Sequence, residues 1–161
     1  MVVMIESLIG ILLFTILIVS PTLKNPLASV GDYPPAIREK CMELGLIEKR
    51  EQRFTRADII RKGIALLAFV FIFAVVLKQF NGADTFWKGV RDSYLIWLII
   101  DWYDALVLDS IWFCHSKKSQ DTRHRGYEEY KDYCFHIKQS CIGMLLGLPA
   151  CLAVGAITAI L

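Results

Sequence analysis

Long apolar runs alternate with short polar blocks along the whole chain, and each run has the length of a membrane-crossing helix. The first, Val2 to Val19, contains one charge, Glu6. At about 1.5 Å rise per residue, such a run covers most of a hydrocarbon layer about 30 Å thick. Three more follow. The pattern predicts an all-α polytopic integral membrane protein forming a single membrane domain over residues 1–161. Its four transmembrane helices fall at about 2–19, 57–80, 93–114 and 136–161, with loops at about 20–56 and 115–135.

Punctuation between the runs refines this. Pro21, Pro26, Gly31, Pro34 and Pro35 predict a loop over 20–33. Residues 36–44 then read as a short cytoplasmic amphipathic helix between the first two spans. Ile37, Cys41 and Leu44 share one face, and Gly45 ends it. Residues 48–53 form a solvated charge run. Thr55 with Asp58 forms a capping box ahead of the second long helix. Asn81-Gly82 signals a turn, and Asp84-Thr85 offers a cap for a third helix over about 85–115. In the fourth run Gly143, Gly147, Cys151 and Gly155 recur at i+4, a stripe that lets another helix approach closely; Pro149 is expected to kink it.

Charge sets the orientation. Residues 20–62 carry nine Lys and Arg, the second connection three (Lys78, Lys88, Arg91), and the third six, through Lys138. Positive-inside bias puts the first and third connections in the cytoplasm and both termini outside, in a plasma or inner membrane. The first run lacks a basic flank and meets Pro21 where a leader would be cut, so it reads as a span. A net charge of +2 and a mean hydropathy of +0.46 exclude nucleic acid as a partner and leave the lipid bilayer. The five cysteines, an odd number without paired spacing, read as thiols.

The chemistry concentrates in Tyr94 to Trp112, where Asp101, Asp104 and Asp109 lie inside an apolar run. Each carboxylate at that depth costs roughly 2.5–3.5 kcal/mol on insertion scales. At about 100° per residue, Tyr94, Trp97, Leu108, Trp112 and His115 fall within about 40° of Asp101, with Asp104 about 60° to one side and Asp109 about 80° to the other. Ile96, Ile99, Tyr103, Leu106, Val107 and Ser110 form the opposite, lipid-facing side. Asp101 and Asp104, one turn apart, can share a cation or a proton between the rings of Trp97 and Tyr94. Asp109 and Trp112 lie toward the cytoplasmic mouth, with Lys138 or His136 as partners for Asp109.

Three functions are compatible with this stripe. One is a site that binds or conducts a cation, a proton or a small cationic ligand. Another is a noncatalytic membrane subunit whose acids mediate helix assembly, within a homo-oligomer or with a partner membrane protein. The third is a metal-dependent lipid-modifying enzyme using the D-x-x-D pair, although the Gly-Arg continuation of lipid-headgroup transferases is missing after Asp104. Cys114, His115, Cys134 and His136 are weak metal candidates, because no pair has zinc-finger spacing. No cofactor is indicated.

Overall fold

The computed structural model describes residues 2–47, 56–120 and 128–161. Among these, every regular element is helical. In order they are α1 (Val2–Lys24), a 3-10 helix (Pro26–Asp32), α2 (Pro35–Glu43), α3 (Arg56–Asn81), α4 (Phe86–Tyr103), a π-helix (Asp104–Phe113), a 3-10 turn (Glu128–Lys131) and α5 (Tyr133–Ile160). The Thr55 cap, the 48–53 charge run and residues 123–125 lie outside the described residues.

Two helices, α1 and α5, are long and apolar enough to cross a membrane. Leu66–Asn81 and Phe86–Phe113 make a bent pair, turning by 105° at residues 82–85, and count as a third span if taken together. The protein therefore has two such helices, or up to three, where four separate spans were expected. Leu8, Leu12, Leu13, Ile16 and Leu17 on α1, Ile64, Leu67 and Ile72 on α3, and Leu145 and Leu146 on α5 are all more than half exposed. Apolar exposure on this scale suits lipid and would drive aggregation in water.

The loop expected over 20–33 is instead helical. α1 continues through Pro21 to Lys24. The Thr22 hydroxyl donates to Ile18 O at 2.7 Å, and Asn25 N–H donates to Pro21 O at 2.9 Å. Asn25 then caps the 3-10 helix, its side chain accepting from Leu27 N–H at 3.2 Å. Tyr33, Pro34 and Pro35 lead into α2 as expected, with Ile37 and Cys41 buried. Leu44 does not join them. α2 stops at Glu43, Gly45 turns the chain with φ +67°, and Leu44 is 49% exposed.

The helices divide into two compact units. One comprises Met1–Leu8, Glu51–Ile99 and Gly143–Leu161. Here the small-residue stripe of α5 meets α4 of the same chain. Thr158 covers Gly89, Gly155 lies against Val90 and the Phe86 carbonyl, and Trp97 covers Gly147. α5 runs through Pro149 as one helix. Gly82 makes the predicted turn with φ +57°, and Thr85 caps α4 by accepting from Lys88 N–H at 3.4 Å.

The other unit comprises Ile9–Arg50 and Ile100–Ile142. Its core is the buried set Tyr33, Ile37, Cys41, Phe113 and Tyr130. The rings of Tyr33, Phe113 and Tyr130 meet pairwise with centroids 5.0, 5.7 and 5.5 Å apart, tilted or edge-on, as their quadrupoles favour. Lys40 of α2 is ion-paired with Glu129 of the 3-10 turn. The two polar connections thus pack on each other.

Close helix approach in the first unit predicts a sharp glycine requirement. A Cβ at residue 155 would lie 2.7 Å from Phe86 O and 3.1 Å from Val90 N, backbone atoms that cannot rotate away. Gly155→Ala should cost about 1–3 kcal/mol in unfolding from detergent. Gly63→Ala, with open space around it, should be neutral or slightly stabilising.

Candidate functional site

Residues 104–113 were expected to continue α4 at 3.6 residues per turn. They form a π-helix instead. Its bonds run to the fifth preceding residue: the N–H of Cys114 donates to Asp109 O, and the Ser110 hydroxyl donates to Ala105 O at 2.6 Å. The His115 ring places Nδ1 3.2 Å from Ser110 O and 3.1 Å from Ile111 O. Each turn therefore takes in more residues than an α-turn. In an α-helix, residues five apart point about 140° away from each other. In a π-helix the wider turn brings them toward a common face, so Asp104 and Asp109 share a wall.

That wall faces a cavity of about 270 Å³ lying within the second unit. Asp104, Leu108, Asp109, Trp112 and Phe113 line it from the π-helix, Phe135, His136 and Gln139 from α5, and Ile18 and Thr22 from α1. Gly31, Tyr33 and Arg38 complete it. The formal charge of the lining is −1 when His136 is neutral: two aspartates against one arginine. Trp112, Tyr33, Phe113 and Phe135 supply aromatic walls.

Asp109 reaches His136, with Oδ2 3.0 Å from Nδ1. Lys138, the alternative partner, is exposed. The His136 side chain is only 2% exposed, and its Nε2 is buried without a hydrogen bond. Cys114 is close enough to interact with the ring. Its thiol, however, donates to Tyr130 O at 2.9 Å and lies outside the cavity lining, so it is not poised as a nucleophile there.

Of the residues expected to form the site, the structure keeps Asp104, Asp109 and Trp112 together. Asp101 is elsewhere engaged, its Oδ2 accepting a hydrogen bond from the Ser140 hydroxyl. Tyr94 and Trp97 do not wall a cation either. Tyr94 OH donates to Met144 O at 3.4 Å, and Trp97 Nε1 donates to Gly143 O at 3.2 Å. The expected lipid face is also revised. Leu106 and Val107 are exposed, but Ile96 is buried and Tyr103 OH lies 3.1 Å from Thr15 Oγ1. The four metal candidates point to different partners: His115 stacks on Tyr133, and Cys134 is exposed. Among the described residues, no group of three or more His, Cys, Asp or Glu could hold a metal ion.

Sequence reasoning missed Thr22, Tyr33, Arg38 and Gln139 as cavity residues. It also missed a bond in the first unit, where Asn81 Nδ2 donates to Glu6 Oε2 at 2.7 Å. The Asp104–Asp109 spacing of five was the one visible trace of the π register. No protein-family model, curated protein or solved structure matches the chain, so its function is argued from its own residues.

The aromatic cluster beside the cavity is held partly by charge. Hydrogen bonding to the Lys40 ammonium keeps the Glu129 carboxyl below the usual carboxylate range. A depressed carboxylate contributes stability above its unfolded value, about 4.3, which is lost as pH falls through the folded value. Acidification below about pH 4.3 should therefore loosen α2 and raise the hydrogen-exchange rate of its backbone amides relative to an exposed reference segment. Lys40→Met should raise that rate already at neutral pH and flatten its acid dependence.

Proposed function

We propose that this chain is a four-span membrane protein that binds a small organic cation in the cavity beside the π-helix. The observation that carries the reading is the pairing of Asp104 and Asp109 on one wall of a cavity with aromatic sides. Two carboxylates supply the field. Trp112 and Tyr33 offer ring faces for a cation, and His136 buttresses Asp109. Asp101, bonded to Ser140, supports the assembly role for that acid alone.

The four-span topology draws support from contacts within each unit. The first and third connections pack together through Tyr33, Phe113 and Tyr130, which favours one side of the membrane for both. Glu6 near the start of α1 bonds to Asn81 at the end of α3, and Lys78 donates to Thr158 O near the end of α5 at 3.4 Å. Those contacts favour a common level for the start of α1, the 82–85 turn and the end of α5. A chain that crosses in α1 and keeps both groupings then crosses again in α3, α4 and α5. The 105° turn falls 75° short of a closed hairpin (180 − 105). If α3 and α4 share that departure as tilts of about 38° each, the 26 residues of α3 still rise about 31 Å, enough to span. With nine and six Lys and Arg, the first and third connections are assigned to the cytoplasm.

In lipid nanodiscs, a panel of small ammonium compounds should include members that raise the melting temperature of the wild type. Asp104→Asn and Asp109→Asn should each weaken that binding at least about tenfold, the loss expected for a charge-assisted contact of about 1.5–3 kcal/mol. Asp101→Asn should leave it within about threefold, well inside 1.4 kcal/mol. Equal loss in all three variants would count against the cavity.

Topology is checked with an impermeant thiol reagent. In a background lacking the other cysteines, the exposed Cys134 should react only after permeabilisation. A thiol placed by Asp84→Cys, at a side chain 73% exposed, should react in intact cells. Reaction of both from one side would refute four spans.

A further inference from the structure

The first unit contains a polar pair that the cavity reading does not use. Glu6 of α1 accepts from Asn81 Nδ2 through Oε2 at 2.7 Å. The other two oxygens of the pair, Glu6 Oε1 and Asn81 Oδ1, are both buried and both lack a hydrogen-bond partner. A carboxylate has acceptors only, and an amide oxygen is an acceptor, so the pair as an anion and an amide is short of a donor. Turning the Asn81 amide over does not help. It would bring oxygen to oxygen at 2.7 Å and lose the one bond present.

Charge around the pair points the same way. Asp92 of α4 is near enough for its charge to act on Glu6, and Asp92 is itself buried. Arg91 is its ion-pair partner, with Nε and Nη2 each 2.8 Å from Asp92 Oδ1. Two neighbouring carboxylates in apolar surroundings disfavour double ionisation, and Asp92 already has the cation. Of the cations beside the 82–85 turn, Lys78 of α3 pairs with Asp84 at 3.3 Å and donates to Thr158 O, and Lys88 of α4 donates to Gly82 O at 2.6 Å. Residues 143–161 of α5 carry no charged side chain.

We propose that Glu6 and Asn81 form a proton-binding site, in which Glu6 is a neutral carboxylic acid in the folded protein. One proton on Oε1 supplies the missing donor. It bonds to Asn81 Oδ1 while Asn81 Nδ2 continues to donate to Oε2, closing an acid–amide ring with two hydrogen bonds. Both orphaned oxygens are satisfied by the same proton, and no net charge is left in the span. The folded state then holds a proton that the unfolded chain releases above the ordinary glutamate value of about 4.3. Stability attributable to the site therefore falls as pH rises and is greatest in acid. The site shares no residue with the cavity, so its failure would leave the cation-binding reading standing.

The test compares wild type with Glu6→Gln in detergent by thermal unfolding across pH, in sodium and in choline buffers of equal ionic strength. Glutamine reproduces the neutral acid, accepting from Nδ2 and donating to Oδ1. Glu6→Gln should match the wild type in acid, and should lack most of the stability loss that the wild type suffers as pH rises. Glu6→Ala should be less stable than both. In infrared difference spectra, the wild type and Asp92→Asn should share a protonated-carboxyl C=O band that Glu6→Gln lacks. Failure of Glu6→Gln to fold, a pH profile identical to wild type, or absence of the band would overturn the proposal. So would recovery of high-pH stability by sodium, which would make the ligand a metal cation.

Discussion

The switch from 3.6 residues per turn to a five-residue hydrogen-bond register at Asp104 organises the chemistry of the second unit. Before that point, α4 presents its polar groups to α5 one at a time: Tyr94 and Trp97 to backbone carbonyls, Asp101 to Ser140. After it, side chains five apart fall into line. Asp104 and Asp109 come onto one wall, with Leu108, Trp112 and Phe113 beside them. In α-geometry the two acids would diverge by about 140°, and a single cavity would not receive both. Wider π turns are rare and concentrate at functional sites, and here the consequence is a shared electrostatic field.

The same segment ties the site to the polar connections. Phe113 belongs both to the cavity lining and to the aromatic cluster with Tyr33 and Tyr130. Tyr33 OH donates to Pro26 O at 2.6 Å, which fixes its ring against the 3-10 helix. The Lys40–Glu129 ion pair adds a clasp between α2 and the 3-10 turn. The walls of the cavity are therefore set by interactions whose residues lie far apart in the chain. This is why Tyr33, Arg38 and Thr22 gave no sign of their place when the sequence was read segment by segment.

What was legible in the sequence followed from periodicity and local turn chemistry. Apolar run length gave α1 and α5, Asn81-Gly82 gave the turn, and Thr85 gave the cap. The i+4 stripe of α5 gave a face for close packing, now seen to receive Trp97 and Val90 of α4. The cost of buried charge drew attention to α4 and the π-helix that continues it. Assigning the acids within it required knowing the residues per turn, and propensity alone carries no signal for a π register. Pro21 misled for a related reason. A proline removes one donor from the ladder without always ending it, and here the turn beyond Pro21 still closes, with Asn25 N–H donating to Pro21 O.

The two polar constellations solve the problem of buried charge differently. In the cavity, Asp109 has an imidazole against it, and Asp104 shares the lining with Arg38. At Glu6 the available partner is an amide, and the nearest charge is another carboxylate that already owns an arginine. On the proton-site proposal the carboxylate there is accommodated by losing its charge, whereas the cation-binding proposal needs the cavity carboxylates charged. The first environment suits an exchangeable cation larger than a proton, because aromatic surface and space accompany the charge. At the second, a proton is the one cation whose addition supplies the missing donor between two orphaned oxygens. Ligand size thus separates the two sites before any difference in affinity does.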